Sequence, residues 1–364
     1  MPDGDAPTNL RSDAPTTIRG DAPTSLRGDP PTGIGAAAPT TTRTLRSAAE
    51  LVAAGLLPEA ARAAAAAVAA RYSIAVTPAV RALIDPADPR DPIGLQYLPD
   101  AAELATGPQE LSDPTADAPF TPVEGVVHRH PDRALLKPLL ACPVYCRFCF
   151  RREVVGPGGG VLSDAALEAA LRWFARMPQV REAILTGGDP LMLSPRRLAH
   201  IVARLSAIPH LEILRVHTRV PVAEPGRVTA ALTAALATDK ALFVCIHANH
   251  AREFSADARA ALARLVRAGI PLLGQSVLLR GVNASVAALE GLFRAMLAAR
   301  IKPYYLHQLD RAPGTARFEV PVEEGLALLR TLRRRATGLA WPTYVQEAPG
   351  GGGKVPLGPA GSGE

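Results

Sequence analysis

The segment Arg181-Glu182-Ala183-Ile184-Leu185-Thr186-Gly187-Gly188-Asp189-Pro190 sets an apolar run against an abrupt polar end. Residues 181–186 read as a short buried strand, the Gly-Gly-Asp-Pro as a turn, and 195–206 as the amphipathic helix that follows. The same unit recurs along the chain. Strand-like runs stand at 134–140, 181–186, 211–217, 241–248, 271–279 and 303–309, and helical patterns at 164–177, 195–206, 226–237, 256–268, 285–299 and 322–335. Strand–helix units repeated in this way require parallel strands joined by crossover helices. Six are too few for the eight-unit barrel. The expected fold is therefore α/β, a partial (β/α)6 barrel, with a doubly wound sheet as the alternative.

The strand ends favour the barrel. Cys142-Pro143-Val144-Tyr145-Cys146-Arg147-Phe148-Cys149 follows the first run and Thr186-Gly187-Gly188-Asp189-Pro190 the second. His217-Thr218-Arg219 closes the third, His247-Ala248-Asn249-His250 the fourth, and His307-Gln308-Leu309-Asp310 the sixth. Gln275 lies within the fifth. Reactive side chains gathered at the C-terminal ends of several parallel strands are how a barrel builds a site.

Outside this region the text is different. Asp5-Ala6-Pro7-Thr8 recurs at Asp13, Asp21 and, altered, at Asp29, an octad with too little apolar surface to repay ordering. Residues 45–72 are Ala-rich and helical in pattern, broken at Gly55 and restarted at Pro58. The expected organisation is a disordered tail over 1–43, a helical extension and linker over 44–122, a barrel core over 123–339, and a C-terminal strap and tail over 340–364.

Composition excludes several classes. Four cysteines in 364 residues make no disulfide scaffold. The net charge of +6 comes from scattered arginines with no basic stripe, so nucleic-acid binding is not expected. No apolar run reaches a membrane span, and the first residues have no apolar signal core; a cytoplasmic protein is expected. Only four lysines occur: Lys137, Lys240, Lys302 and Lys354.

Cys142, Cys146 and Cys149 form C-x3-C-x2-C. Three thiolates on a short loop can hold three irons of a four-iron cluster and leave the fourth open. Zinc would need a fourth ligand, from Cys245, His128 or His130, none at finger spacing. Cys245 sits in an apolar run and reads as a buried packing thiol. The triplet, with an aromatic before its last cysteine, resembles the signature of the radical S-adenosylmethionine (SAM) superfamily. That resemblance implies a [4Fe–4S] cluster on Cys142, Cys146 and Cys149 with SAM on the open iron. It also implies a SAM site at Gly187, Gly188, Asp189 and Pro190, joined by Gln275.

Pro349-Gly350-Gly351-Gly352-Gly353-Lys354 is not a phosphate loop, because Val355-Pro356 follows where Ser or Thr and a helix are required. A lysine on a glycine strap can instead serve as the amine that carries pyridoxal phosphate (PLP). With the triplet upstream, this strap resembles the lysine 2,3-aminomutase family. The likeness runs from about Asp91 to Pro356 and includes Arg129-His130-Pro131-Asp132-Arg133, Asn249-His250, Gln275 to Asn283, and Lys302-Pro303-Tyr304-Tyr305. It implies that Lys354 carries PLP, that Arg129, Arg133 and His247 contact its phosphate, and that Arg151 pairs with the substrate α-carboxylate. Asp310 and Glu347 would hold a distal ammonium; Glu347 stands where the family usually has Asp, and His130 where it has Tyr. Both distal positions stay acidic, which favours L-lysine over an acidic substrate.

Three departures accompany the likeness. The chain ends before the family's zinc-binding, subunit-linking segment, and Ser285 replaces a zinc cysteine, so no structural zinc is expected. Ala284 and Gly274 stand where the family has Asp and Asn. The short C-terminus and Tyr304-Tyr305-Leu306-His307 look closest to the branch that makes β-lysine for elongation factor P. The expected function is an isomerase moving the amino group of L-lysine from C2 to C3 to give β-lysine. Its expected partners are the amino acid and an electron donor such as flavodoxin or ferredoxin, with a homo-oligomer left open. The alternatives are a radical SAM aminomutase acting on arginine or glutamate, and a zinc-bound interaction protein.

Overall fold

Along Ile213-Leu214-Arg215-Val216-His217-Thr218 burial alternates residue by residue: Leu214, Val216 and Thr218 are buried and the residues between them partly so. In a strand this period of two sends successive side chains to opposite faces. Leu214 and Val216 join the apolar core under the helices, whereas Arg215 and His217 line a central cavity. This one strand therefore shows the layering of the whole molecule.

The structure, a computed structural model, describes residues 42–156, 159–348 and 353–358. The octad repeats and most of the glycine run lie outside the described residues. The strands are β1 Val126–His130, β2 Arg133–Leu139, β3 Glu182–Gly187, β4 Ile213–Thr218, β5 Ala241–His247, β6 Leu272–Val277, β7 Ile301–His307, β8 Thr343–Ala348 and β9 Gly353–Pro356. They form one sheet in sequence order. Neighbours from β2 to β8 pair parallel, and β1 and β9 pair antiparallel with the outer members of that set. Residues from β1 through β9 line the same cavity, so the sheet curls into a partial barrel, as the strand–helix period predicts. β8 adds a parallel strand beyond the six expected units, while β1 and β9 are the two strands that the apolar pattern does not announce.

The crossover helices Asp164–Ala175, Ala256–Arg267 and Val286–Ala298 each begin on a serine, Ser163, Ser255 or Ser285, whose side chain accepts a backbone N–H of the first turn. Such a cap contributes about 1 kcal/mol. Ser285, which replaces a cysteine of the family pattern, has this task. Pro195 starts another crossover helix at Ser194. The expected helix over 226–237 shortens to Ala230–Ala234, because Pro225-Gly226-Arg227 forms a separate tight turn. Leu167, Leu171 and Phe174 of the first crossover helix pack with Leu136, Leu185 and Leu214 of the sheet in one apolar cluster. Full burial of each such side chain stabilises the fold by about 1.5–3 kcal/mol.

The N-terminal extension makes a second cluster. Leu51, Ile74, Val76, Ile93 and Tyr97 pack with Val144 of the cysteine loop. Gly55 adopts φ +71° between the helices Ala48–Ala53 and Arg62–Arg71, which accounts for the break in the Ala-rich pattern. Among the described residues no helix is long and apolar enough to cross a membrane.

The open side of the barrel is bridged by side chains. Arg129 of β1 pairs with Glu347 of β8 at 3.4 Å, both nearly buried. Gly353 of β9, at φ +67°, lies so close to the His130 ring that an added Cβ would sit 2.0 Å from its Cε1. Only glycine fits there.

Candidate active site

The cavity enclosed by the sheet has a volume of about 380 Å³. Cys142, Cys146, Cys149, Gly187, Gly188, Asp189, Gln275, Arg129, Arg133, His247, Arg151, Asp310, Glu347 and Lys354 all line it. Pro190 does not; it is buried as the first residue of the short turn after Asp189. Residues chosen from separate motifs over more than two hundred positions thus share one space.

The cysteine loop leaves β2 and returns across β3. Gly188 N–H donates to Leu139 O at 2.8 Å, and Asp189 N–H to Ala141 O at 2.9 Å. A Cβ on Gly188 would lie 2.2 Å from Ala141 O, and one on Gly187, at φ +114°, 2.5 Å from Leu139 O. The two glycines are therefore required by the backbone of the cysteine loop as well as by any ligand. Asp189 is fully committed: Oδ1 accepts from Thr218 Oγ1 and Leu191 N, and Oδ2 from the backbone N–H groups of Arg219 and Val220. It ties the end of β3 to the end of β4.

Cys142, Cys146 and Cys149 are free thiols. Burial pushes all three up, Cys149 to about 11. Protein surroundings alone therefore favour the neutral thiol, and a cationic iron cluster supplies the charge that makes thiolates the stable form. Among the described residues no three His, Cys, Asp or Glu side chains are arranged around a single-ion position. A four-iron cluster does not demand that, since each thiolate holds a different iron. The donor set fits the cluster. Cys245, on β5, is fully buried, and burial raises its thiol to about 12.

At the β8–β9 hairpin, Lys354 Nζ donates to Glu347 Oε1, and Arg129 Nη2 approaches Glu347 Oε2. Asp310, three residues after β7, has its carboxyl pushed up to about 7 by burial and then by the Glu347 charge. Arg151 is gripped from outside the barrel core: its Nε and Nη2 donate to Asp117 Oδ2 at 3.2 and 3.1 Å. Lys137 Nζ approaches the same oxygen at 3.5 Å. Burial pushes the Asp117 carboxyl up, but Arg151 and Lys137 outweigh it and hold it below its usual range.

His247, expected with Arg129 and Arg133 at the PLP phosphate, lines the same cavity from the end of β5. Its ring packs edge-on to Phe148 with centroids 5.9 Å apart, and the nearby Arg219 charge depresses its basicity after burial does. That is the cysteine side of the cavity. His217 is held well below its usual range by burial, then by Arg215 and Lys354; His307 also feels Lys354 after burial. His247 and His217 each have a buried Nε2 without a hydrogen-bond partner, as expected where a polar ligand belongs.

Sequence reasoning missed Asp117, Gln96, Glu253 and Arg215 altogether, and placed His217 and Arg219 on the rim, and Tyr304–Tyr305 in the family likeness, without a specific role. A signal was available for Arg215 and His217, which alternate with buried apolar residues along β4. Arg215 pairs with Glu182 at 2.9 Å, and the Tyr304 and Tyr305 hydroxyls bond at 2.9 Å, all lining the cavity.

The family model for the Radical SAM superfamily matches residues 136–289. The L-lysine 2,3-aminomutase of Clostridium subterminale is 40% identical over 286 residues, 79% of this chain and 69% of that enzyme. The glutamate 2,3-aminomutase of Clostridioides difficile is 34% identical over 287 residues, 79% of this chain and 68% of that enzyme. A radical SAM methyltransferase structure from Sphaerobacter thermophilus aligns at 19% identity and a TM-score of 0.43, covering 61% of this chain and 68% of that one. The chain belongs to the lysine 2,3-aminomutase family and is a radical SAM aminomutase, an isomerase that uses SAM and a [4Fe–4S] cluster.

Proposed function

We propose that the enzyme moves the α-amino group of L-lysine from C2 to C3, giving β-lysine, with PLP carried on Lys354. The observation that carries this reading is the division of charge in one cavity: an arginine, Arg151, for a carboxylate, and the acidic pair Asp310 and Glu347 for a distal cation. When bound, the cluster and SAM supply a one-electron cleavage that generates a hydrogen-abstracting radical, and PLP supplies an imine across which nitrogen can migrate.

The residues do the rest. Cys142, Cys146 and Cys149 hold the cluster, and Gly187, Gly188, Asp189, Pro190 and Gln275 shape the SAM site. Lys354 Nζ is the only lysine amine lining the cavity among the described residues, and Glu347 holds it there. Arg129 and Arg133 offer guanidinium groups to the PLP phosphate. The surroundings of His247 favour a place beside SAM instead. Asp117 fixes one edge of Arg151 and leaves Nη1 for the substrate α-carboxylate. A low-potential donor such as flavodoxin or ferredoxin delivers the electron. Four unpaired cysteines suit the reducing cytoplasm.

A glutamate substrate would set its distal carboxylate against Asp310 and Glu347, a repulsion that disfavours it. Arginine, with a distal cation, is the closer competitor. The test is anaerobic reconstitution with iron, sulfide, SAM, PLP and reductant, then product analysis on lysine, arginine and glutamate separately. β-Lysine formation with no product from glutamate is expected. Conversion of glutamate or arginine with lysine untouched would overturn the assignment.

A further inference from the structure

Arg219 directly follows β4 and is only 5% exposed. Each part of it is held. Its backbone N–H donates to Asp189 Oδ2 at 2.6 Å, and its guanidinium lies over the rings of Tyr97 and Phe148, at 5.0 and 5.6 Å from their centroids. Nη2 donates to Glu253 Oε2 at 2.7 Å and to Gln96 Oε1 at 2.6 Å. Nη1 donates to Cys146 Sγ at 3.1 Å. An arginine present only to neutralise Glu253 would turn its fork to that carboxylate. Here the fork is split, with one arm on the carboxylate and the other on the sulfur.

We infer that Arg219 is a positioning residue for the iron–sulfur cluster, which donates an N–H to the Cys146 sulfur and thereby raises the cluster's reduction potential. The inference rests on the reading of Cys146 as a cluster ligand. Reduction adds negative charge that is shared with the ligand sulfurs, so a donor fixed on one sulfur stabilises the reduced form more than the oxidised form. Glu253 offsets most of the arginine charge, and its other oxygen accepts the backbone N–H groups of Asn249 and His250 at 2.7 and 2.9 Å. What reaches the sulfur is therefore mainly a directed N–H dipole in a low-dielectric setting.

The same node joins the N-terminal extension to the cluster loop. Gln96 receives Arg219 on its side chain and Arg147 N–H, from between two of the cysteines, on its backbone oxygen at 2.8 Å. Residues outside the segment matched by the superfamily model thus fix the orientation of the donor. The extension is part of the redox machinery as well as a cover.

The test compares the reconstituted wild type with Arg219→Lys and with the double variant Arg219→Gln/Glu253→Gln. The double variant removes the buried pair together, because removing one charge alone leaves the other buried and uncompensated. Iron and sulfide per chain report cluster binding, and an EPR-monitored reductive titration reports the midpoint potential. Both variants are expected to bind the cluster and to titrate at more negative potential than the wild type. At a fixed donor potential the ratio of reduced to oxidised cluster in the double variant falls about tenfold, the equivalent of 59 mV for one electron. The lysine variant, which has one donor nitrogen where arginine divides two between Cys146 and Glu253, falls between. A wild-type midpoint in a cluster-bearing variant of either kind would overturn the inference and leave Arg219 a packing residue. Should the double variant fail to hold iron, the lysine variant decides alone by the same criterion. Failure of the wild type to form a cluster would instead count against the ligand assignment.

Discussion

Glu347 and Lys354 face each other as register partners across the β8–β9 hairpin, and the lysine amine donates to the glutamate carboxylate. The hairpin, with Gly353 pressed against His130, holds the proposed PLP amine beside a residue proposed to read the substrate's far end. Lys354→Ala is expected to abolish turnover and the imine absorbance formed with PLP, while iron content and the cluster spectrum persist. Retained lysine isomerisation in this variant would refute the cofactor assignment.

Glu347→Gln keeps shape and removes charge. A hydrogen bond to a charged group contributes about 1.5–3 kcal/mol, so KM for lysine is expected to rise roughly ten- to a hundredfold. Steady-state kinetics on lysine and glutamate give the check. A drop in kcat with KM unchanged would place Glu347 in the chemistry rather than in substrate reading.

The Asp310 carboxyl, raised to about 7 by burial and by Glu347, gives a pH signature. Below that value it is neutral and attracts an ammonium poorly, so lysine affinity falls as pH drops through about 7. The stability effect has the opposite sign: a raised carboxyl favours the fold below its unfolded value near 4 and loses that contribution as pH rises through 7. Asp310→Asn should flatten the affinity profile and raise the Tm of the PLP-free protein more at pH 8 than at pH 5. Equal Tm gains at both pH values would show that Asp310 is not strained.

Asp117 reaches Arg151 from a loop that precedes the barrel, using one oxygen against Nε and Nη2. Without that grip the guanidinium regains rotamer freedom and loses its fixed edge. Asp117→Asn is expected to raise KM for lysine about tenfold, consistent with a charged hydrogen bond, with kcat changed less. Unaltered KM would mean that Arg151 needs no outside support.

Several parts of this arrangement were open to reading in the sequence, for a physical reason. Buried parallel strands must be apolar and their crossover helices amphipathic, so β2 to β7 stand out by period alone. β1 escaped because His128, Arg129 and His130 interrupt its apolar start with polar groups. β9, four residues including glycine and proline, has no period to detect. The cysteine triplet is local and therefore legible. The Asp117–Arg151 contact joins positions 34 residues apart, and the Gln96–Arg219 contact positions 123 apart. No local pattern encodes such pairs; only the fold brings them together.

Gly188 offers the sharpest steric test. A Cβ there would sit 2.2 Å from Ala141 O and 2.5 Å from Ala141 N, both backbone atoms of the residue before Cys142. No side chain can swing aside to make room, so the cysteine loop itself must move. Gly188→Ala is expected to cost about 1–3 kcal/mol of stability, the usual range for overpacking. The displaced loop should also lower iron retained after reconstitution. Gly226→Ala is the matched control, since nothing lies within 4 Å of an added Cβ at that position. Thermal unfolding together with iron analysis checks both variants. Full iron loading and a wild-type Tm in Gly188→Ala would show that the loop is not seated on this glycine.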